Sequence, residues 1–328
     1  MKTNLEAIIL GIAAIIDYGI GDPEEWWHPV QGIGCAISRL SRVAIITCQR
    51  KWQRRWCGII LGLGIILSSG TTSWIIVHLA KNIHFLLGIV VQSILLASCF
   101  ATRSLWFAAE AVLSSLVKGN IVVTRTQLSQ YVGRDTDNLS EEEILRAVLE
   151  TVSENAVDGV TSPLFYAIVG AFFPGIGLVP FALSYKAVST LDSMIGYQKD
   201  PFKDLGWFSA KLEDYLTWFP CRLTVLTLAL ISGKPLAVLS ICRRDAPNDP
   251  SPNSGWSECI YAAILGVQLG GTNTYQSKLE HKPLLGDSLN PITPTIIYQA
   301  LQLTQICFLL WLGLGIVSLF CLTNLTLS

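Results

Sequence analysis

The chain has 328 residues and a formal net charge of −1, with 51% hydrophobic and only 14% charged residues. Soluble globular domains carry roughly a quarter charged residues, so this composition excludes an ordinary soluble protein. The chain has neither a positive net charge nor a long basic run, which argues against a nucleic-acid partner.

Four stretches without Lys, Arg, Asp or Glu are long enough for a membrane helix, which needs about 20 residues. They are residues 57–80, 83–102, 159–185 and 292–328. We therefore predict an all-α, polytopic membrane protein that forms a single integral membrane domain over residues 1–328. The last stretch predicts a C-terminal membrane anchor over about 292–322. Polar inserts are expected at about 17–34, 134–159, 185–222 and 243–275.

Basic residues are concentrated just before the stretch that begins at residue 57. They are Arg42, Arg50, Lys51, Arg54 and Arg55. The positive-inside rule places this segment in the cytoplasm. Residues 57–80 and 83–102 are then expected to form a helical hairpin that turns near Lys81 and Asn82. The hairpin returns the chain to the cytoplasmic side, where we expect the functional inserts to lie.

The insert at 134–159 predicts an amphipathic helix. Ser140 and Glu143 form a capping box at its start. Apolar residues fill one side of the helical wheel, and acidic residues follow one another along the other side. The acidic residues are Glu143, Glu150, Glu154 and Asp158. Such carboxylates suit Mg²⁺, which takes oxygen ligands; the alternative is a solvated helix face.

The stretch at 159–185 is unusual for a simple membrane span, because it contains three prolines and several glycines. Pro174, Gly175 and Gly177 fall close together near its middle. Irregular backbone at membrane depth is tolerated where it is buried in protein or lines a cavity. We therefore predict a broken or re-entrant helix here.

Residues 243–258, "RRDAPNDPSPNSGWSE", combine charge with three prolines. Proline fixes the backbone φ angle, and short polar residues favour turns, so we predict an ordered loop. Arg243 and Arg244 suit binding of carboxylate or phosphate, although two arginines after an apolar run also suit a topology anchor. Lys186 and Lys211 likewise either bind phosphate or extend to the membrane interface. A paired-glycine turn is expected within 267–275.

Several common motifs are absent from the sequence. There is no Walker A motif, no dinucleotide-binding G-x-G-x-x-G, no H-E-x-x-H and no G-x-S-x-G. The four histidines are far apart, which argues against a zinc site built on histidine. The nine cysteines are scattered and include no C-x-x-C pair, so we expect free thiols that serve as small apolar residues.

Six stretches in order along the chain resemble the CobD/CbiB family, the membrane-bound adenosylcobinamide-phosphate (cobinamide) synthases of cobalamin biosynthesis. They are "GDPEEWWHPVQGIG", "RDTDNLSEEEI", "ETVSENAVDGVTSPLFY", "YKAVSTLDSMIGY", "FSAKLEDYLTWFPCRLT" and "RRDAPNDPSPNSGWSE", the last followed by "GVQLGG". The resemblance covers residues from about 10 to 280. Glu213 stands where the family usually has Asp, which is a conservative difference.

The resemblance implies an ATP-dependent ligase at the cytoplasmic membrane with Mg²⁺ as cofactor. Its substrates would be a corrinoid, adenosylcobyric acid, and (R)-1-amino-2-propanol or its O-phosphate. Its surroundings would be the lipid bilayer and other late membrane enzymes of the same pathway. The residues do not decide whether the amine is phosphorylated, nor whether the activated carboxylate is an acyl phosphate or an acyl adenylate.

The resemblance and the residue chemistry together suggest roles for individual side chains. The expected Mg²⁺ ligands are Glu150, Glu154, Asp158, Asp245 and Asp249. The expected substrate and nucleotide contacts are Lys186, Asp192, Lys211, Arg243, Arg244, Asn248 and Asn253. The candidate catalytic residues are Asp22, His28 and Asp158, with Asp22 or His28 as the base that accepts the proton of the attacking ammonium.

Two other functions fit a membrane chain of this kind. A non-catalytic sensor of the same superfamily would be expected to lose the acidic and Arg/Asp inserts, which are all present here. A transporter would carry its charges within membrane helices, whereas the charges here fall mostly between the apolar stretches.

Overall fold

The computed structural model describes residues 2–21, 28–275 and 278–325, and thirteen α-helices and two β-strands lie in these ranges. The helices are α1 (Lys2–Gly19), α2 (Pro29–Thr47), α3 (Lys51–Ile83), α4 (Phe85–Ala97), α5 (Thr102–Val117), α6 (Ile121–Leu128), α7 (Glu141–Asn155), α8 (Ser162–Ala171), α9 (Leu178–Ile195), α10 (Trp207–Ile231), α11 (Pro235–Asp245), α12 (Ser254–Leu265) and α13 (Pro294–Leu325). A π-helical turn (Ala156–Thr161) joins α7 to α8, and a 3₁₀ turn (Ala246–Asn248) follows α11. The strands β1 (Leu269–Tyr275) and β2 (Lys278–Leu285) pair antiparallel.

The described chain divides into two compact units. The first unit contains the described residues up to Arg103, then Ser162–Thr217 and the chain from Leu309 onward. The second unit contains Ser104–Thr161 and Trp218–Phe308. The single integral membrane domain expected from the sequence stays a prediction.

Three helical segments of the described chain are long and apolar enough to cross a membrane: Lys51–Ile83, Phe85–Val117 and Pro294–Cys321. Half or less of the most apolar window of each is buried, so apolar side chains face outward as they do in helices that contact lipid. This confirms the prediction of an all-α membrane protein. The third segment lies in α13, where the sequence predicts a C-terminal anchor.

The predicted helical hairpin is present in the first unit as α3 and α4, which pack against each other. The helices are separated by His84, whose backbone is extended and whose Nδ1 accepts the N–H of Leu86 at 3.2 Å. The turn therefore lies two residues beyond the predicted position. A core cluster from α2, α3 and α9 stabilises this unit, and it includes Ile37, Leu61 and Leu191.

The predicted break within 159–185 is also present. Helix α8 ends at Ala171 and α9 begins at Leu178, with Pro174 and Gly175 between them. Gly177 precedes α9 with a φ of +89°, a conformation that favours glycine because it has no Cβ. Local backbone chemistry thus fixes the position of the break, and its re-entrant character stays a prediction.

Helix α7 in the second unit begins where the capping box predicts. The Ser140 side chain accepts the N–H of Glu143, and the Glu143 carboxylate accepts the N–H of Ser140. The apolar side of the helix is buried, as Ile144, Val148 and Val152 show, and α7 packs against α12.

The β-hairpin of the second unit was not predicted. The paired-glycine turn expected within 267–275 is wrong, because these residues form strand β1. A bulge between Leu269 and Gly271 interrupts the register. Gly270 has a φ of +84°, and a Cβ there would overlap with the carbonyl oxygen of Pro283. The two glycines therefore permit a bulge and a close contact between the strands. A Gly-Gly pair is compatible with either a turn or such a bulge.

The close packing of α3 provides a test of the first unit. A Cβ added at Gly58 would overlap with the carbonyl oxygen of Leu205, whereas a Cβ at Gly64 would meet no atom within 4 Å. We expect Gly58→Ala to lower the free energy of unfolding by about 1–3 kcal/mol through overpacking. Gly64→Ala should leave it unchanged or raise it, since alanine favours a helix. Thermal unfolding of the purified protein in detergent measures both, and equal unfolding temperatures would contradict the packing.

Candidate functional site

Four acidic side chains of the second unit share one electrostatic environment, and we call them the acidic cluster: Glu150, Glu154, Asp249 and Glu258. They come from α7, from the loop after α11 and from α12. The charges of the other three all act on Glu258, and all four act on Lys282 of β2. The cluster thus joins the insert at 134–159, the stretch at 243–258 and the β-hairpin.

Glu150 is the most constrained member of the cluster. Its side chain is buried and forms ion pairs with Arg134 and with Arg146, the latter at 3.2 Å. Its Oε1 also accepts the backbone N–H of Gly270 at 3.0 Å. The sequence predicts that the acidic side chains along α7 are free to bind a ligand. This prediction is wrong at Glu150, because strand β1, which was not predicted, covers that part of the helix.

The two arginines bind strand β1 as well as Glu150. Arg134 donates to Oδ1 of Asn273 at 2.8 Å. Arg146 donates to the same oxygen at 3.0 Å, to the carbonyl of Thr272 at 3.1 Å and to the carbonyl of Gly270. Each guanidinium thus uses several of its fixed donors at once, which suits arginine better than lysine. These contacts fix β1 to α7.

The proline-rich loop is ordered, as the sequence predicts. Oδ1 of Asp249 accepts the N–H of Ser251 at 2.8 Å, an Asx turn. Gly255 admits this turn, because a Cβ there would lie 2.5 Å from the Cβ of Asp249. The hydroxyl of Ser254 donates to Glu154 at 3.0 Å. The loop therefore holds Asp249 and the start of α12 next to the end of α7.

Arg222 of α10 also binds this loop. Its guanidinium donates to the carbonyl of Pro252 at 2.8 Å. It also lies over the rings of Trp256, at 4.6 Å from the centroid, and Trp218, at 5.3 Å. Cation–π contacts of this kind contribute about 0.5–2 kcal/mol each. Trp218 of α10 and Trp256 of α12 thus have a structural role.

Arg244 and Asp245 form a bidentate ion pair at 2.7 and 2.8 Å. Arg244 also pairs with Asp287 at 2.7 Å, and Asp245 accepts the N–H of Gly286 at 2.9 Å. The hydrogen bonds from Arg244 hold the pKa of Asp245 below its ordinary value. Both oxygens of Asp245 are therefore engaged, and its predicted role as a metal ligand would require these bonds to be displaced.

Glu258 lies at the centre of the cluster and is fully buried. Its Oε1 lies 3.3 Å from Nζ of Lys282, while its Oε2 has no hydrogen-bond partner among the described residues. Burial raises the pKa of Glu258 to about 8, and the charges of Glu150, Glu154 and Asp249 add to this shift. Although burial alone lowers the pKa of Lys282, the surrounding carboxylates raise it above its ordinary value. Burial therefore favours the protonated form of Glu258, and the surrounding carboxylates favour the charged form of Lys282.

Among the described residues no group of three or more His, Cys, Asp or Glu side chains is arranged to hold a metal ion. Oδ2 of Asp249 and Oε2 of Glu258 are buried oxygens without a partner. Mg²⁺ is usually held by one or two carboxylates together with water and substrate phosphates, so these residues fit Mg²⁺ that arrives with a nucleotide.

The other predicted residues of the second unit are Asp158, Arg243, Asn248 and Asn253. Asp158 is part of the π-helical turn, a feature often found at functional sites. Arg243 and Asn248 are exposed, and Asn248 donates to the carbonyl of Arg244 at 3.3 Å. Asn253 is buried at the start of α12. Their binding roles stay predictions.

The remaining predicted residues belong to the first unit, except Asp22, which lies outside the described residues. They are His28, Lys186, Asp192 and Lys211. His28 caps α2, and its Nδ1 accepts the N–H of Val30 at 3.3 Å. Lys211 is exposed and forms an ion pair with Asp214 at 3.0 Å. Lys186 and Asp192 lie two turns apart on α9. Their roles also stay predictions.

Sequence reasoning missed four residues of the site: Arg134, Arg146, Glu258 and Lys282. Glu258 ends the polar stretch at 243–258, where it follows Ser254 by one helical turn on α12. This spacing could have placed it beside the start of the helix. The other three depend on contacts with the hairpin or on its own residues, and no local pattern signals them.

Comparison with known proteins gives one consistent result. A profile described as CobD/Cbib protein matches residues 10–304. The chain is 55% identical to the cobalamin biosynthesis protein CobD of Synechocystis sp., over 95% of this chain and 91% of that protein. It is 40% identical to CobD of Halalkalibacterium halodurans (92% and 94% covered) and 36% identical to the cobalamin biosynthesis protein CbiB of Salmonella typhimurium (92% and 94% covered). No solved structure gives a significant match.

The buried ion pairs of Glu150 give a stability prediction. Glu150→Gln removes the negative charge that compensates Arg134 and Arg146. We expect a loss of about 3–5 kcal/mol in the free energy of unfolding, because Arg134 would remain buried and charged. Glu142→Gln, on the exposed first turn of α7, is the matched control and should change stability little. Denaturant unfolding followed by circular dichroism compares the two; an equal effect would contradict the buried pairing.

The shifted pKa of Glu258 gives a pH prediction. In the folded protein this pKa is about 8, compared with an ordinary value of 4.5. Between pH 5 and 8 the folded state keeps a proton that the unfolded state releases, so stability falls as the pH rises through this window. Glu258→Gln should flatten the fall. Unfolding temperatures at pH 5.5, 7.0 and 8.5 test this; the same slope in both proteins would assign the dependence to other groups.

Proposed function

Because the chain belongs to the CobD/CbiB family, we propose that it acts in cobalamin biosynthesis as an ATP-dependent, C–N bond-forming ligase of the cytoplasmic membrane. The reaction joins a corrin-ring carboxylate of adenosylcobyric acid to the amino group of (R)-1-amino-2-propanol or of its O-phosphate. The products are adenosylcobinamide or its phosphate. The active site faces the cytoplasm, and other late membrane enzymes of the pathway are its proposed neighbours.

The observation that carries this proposal is the convergence of separate inserts on the acidic cluster. The stretches "ETVSENAVDG" and "RRDAPNDPSPNSGWSE", about 90 residues apart in the sequence, supply Glu154, Asp249 and Glu258. The stretch that contains "GVQLGG" supplies Gly270, which binds Glu150. A family pattern whose distant parts meet at buried ionisable groups is more typical of a reaction site than of a structural surface.

Amide formation from a carboxylate and an ammonium requires three kinds of group. Cations must hold the carboxylate and the phosphates, oxygen ligands must hold the metal ion, and a base must accept the proton that the amine loses. ATP activates the carboxylate, and the oxygen that the carboxylate loses leaves with the phosphoryl or adenylyl group. The second unit supplies candidates for the first two kinds of group.

Exposed Arg243 is the proposed cation for phosphate or carboxylate in this unit, because Arg244 is already held by Asp245 and Asp287. Asn248 and Asn253 would orient the ligand from the same loop. Lys186, Lys211 and Asp192 of the first unit are further proposed ligand contacts. Arginine forms bidentate bonds to phosphate and carboxylate alike, so one residue type serves both substrates.

The proposed metal ligands are Glu154, Asp249 and Asp158. Glu150 and Asp245 are weaker candidates, because arginine and backbone N–H groups already occupy their oxygens. When bound, Mg²⁺ would offset the charge of the phosphates. Glu258 is a positioning residue in this scheme, because its protonated form does not repel the carboxylates of Glu154 and Asp249.

The base remains assigned to Asp22 or His28. At His28 the lone pair of Nδ1 accepts the helix-capping N–H, so the neutral ring carries its proton on Nε2, and His28 would have to give up the cap to accept a proton. Neither the sensor nor the transporter alternative gains support. The acidic cluster lies outside the three segments that are apolar enough to cross a membrane, which is unlike a transporter whose charges mark the pathway through its helices.

The direct test is product formation by the purified protein in detergent with adenosylcobyric acid, Mg-ATP and each amine in turn. We expect an amide product of the corresponding mass from the wild type. Asp249→Asn, Asp158→Ala and Arg243→Ala should lower the rate about 100-fold or more, as is common when charge stabilisation is removed from an active site. The controls are Glu142→Ala and Lys234→Ala, which change exposed charges on α7 and before α11.

Growth gives a second readout. The gene should restore cobinamide synthesis to a strain that lacks its own cobinamide synthase, without added cobinamide. Failure of the wild type in both assays would overturn the ligase proposal. If the wild type is active and the three variants match the controls, only the assignment of residues is wrong.

A further inference from the structure

Two cavities adjoin each other along α3 in the first unit. One has a volume of about 560 Å³ and the other about 480 Å³. Both are lined by Trp74, Gly175 and Ile176, so they lie next to each other, and we call the two cavities together the α3 groove. Each volume alone is in the range of about 300–1,000 Å³ that is typical of small-molecule sites. None of the groups assigned above to the proposed ligase reaction lines it.

The groove changes from apolar to polar along its length. The larger cavity is lined almost entirely by apolar and aromatic side chains, such as Ile66, Leu67 and Phe181. The smaller cavity adds ionisable and polar side chains: Glu6, His78, Lys81, Asn82 and Gln92. A ligand that fills both cavities must therefore be amphipathic, with one apolar and one charged end.

The positions along α3 run from one membrane interface to somewhat beyond the middle of the bilayer. Lys81 directly follows the uncharged run at 57–80, so it stands where a membrane helix leaves the hydrocarbon. The larger cavity is lined by α3 from Trp74 down to Ile66. At a rise of 1.5 Å per residue these residues lie about 10–22 Å below Lys81. One leaflet contributes about half of a hydrocarbon core of about 30 Å.

The groove opens to the surface and not to a closed core. Leu67 is 63% exposed, Ile176 is 47% exposed and Trp74 is 41% exposed. In the most apolar window of α3 only 28% of the residues are buried. In a membrane this surface meets lipid, so lipid is the most abundant amphipathic molecule that can enter.

The interrupted helix between α8 and α9 builds the wall of the groove. Pro174, Gly175, Ile176 and Gly177 line the smaller cavity. The carbonyl of Gly175 accepts the indole N–H of Trp74 at 2.9 Å, and Trp74 in turn stacks on His78 at 5.2 Å. Irregular backbone is tolerated at membrane depth where it lines a cavity. The break between α8 and α9 thus helps to form a cavity that has no role in the proposed ligase reaction.

We propose that the α3 groove binds one glycerophospholipid with a zwitterionic headgroup. An acyl chain occupies the larger cavity between α3 and α9. The headgroup occupies the smaller cavity, where Lys81 binds the phosphate and Glu6 binds the headgroup ammonium. The presence of one cation and one carboxylate in the same cavity matches a zwitterion better than an anionic lipid such as phosphatidylglycerol, which has a phosphate for Lys81 but no ammonium for Glu6.

Retention of lipid by the purified protein tests the proposal. The protein is reconstituted in vesicles of equimolar phosphatidylethanolamine and phosphatidylglycerol, extracted in mild detergent and measured by native mass spectrometry. We expect one retained phosphatidylethanolamine on the wild type. Thr71→Trp, which fills the larger cavity, and Lys81→Gln should each lower its occupancy about tenfold.

Two variants of α3 serve as matched controls. Ile75→Trp introduces the same side chain at an exposed position that lines neither cavity, and Lys51→Gln removes the same charge at the other end of the helix. Both should retain lipid as the wild type does. Equal retention by all five proteins, or no retained lipid on the wild type, would overturn the proposal. Preferential retention of phosphatidylglycerol would overturn the zwitterionic ligand.

Photocrosslinking in the same vesicles remains decisive if a variant fails to fold. Phosphatidylethanolamine with a diazirine in its acyl chain should label the wild type mainly within 66–74 and 176–188. Labelling spread evenly over the exposed face of α3 would contradict a defined site. Because the probe is a lipid and the readout is position, the outcome is independent of the ligase assay.

Discussion

The buried carboxylate of Glu150 is the interaction on which the second unit depends. It lies between two guanidinium groups, and it also accepts the backbone N–H of Gly270. A buried charge is costly unless its partners and hydrogen bonds are complete, and here Arg134 and Arg146 bring β1 with them through Asn273. One acidic residue on α7 thus determines where the hairpin lies, and the hairpin places Lys282 beside Glu258.

Around this ion-paired centre the rest of the site is built from short-range geometry. The Asx turn at Asp249, the space at Gly255 and the hydroxyl of Ser254 bring the loop against α7 without long flexible side chains. Arg222 holds the far side of the loop through Pro252 and Trp256. Prolines and glycines are therefore concentrated where the backbone must be fixed, and charged residues where ligands or counter-charges must be held.

Features that depend on local chemistry could be predicted from the sequence. The start of α7 follows from Ser140 and Glu143, because the capping bonds join residues three positions apart. The break before α9 follows from Pro174, Gly175 and Gly177. By contrast, β1 depends on pairing with β2, and its Gly-Gly pair is equally typical of a turn. Once the hairpin was missed, the burial of Glu150 and the position of Lys282 could not be derived, since both depend on it.

The protonated state of Glu258 has a consequence for how the site responds to its surroundings. With Glu258 neutral, the charges of Glu150, Glu154 and Asp249 are balanced by those of Arg134, Arg146 and Lys282. A cation bound there, as proposed above, would displace the proton, so that part of the incoming charge would be exchanged and not added. Such an exchange would change the electrostatic field outside the site only slightly. Cation uptake should therefore respond strongly to acidity and only weakly to ionic strength, unlike attraction by an open acidic surface.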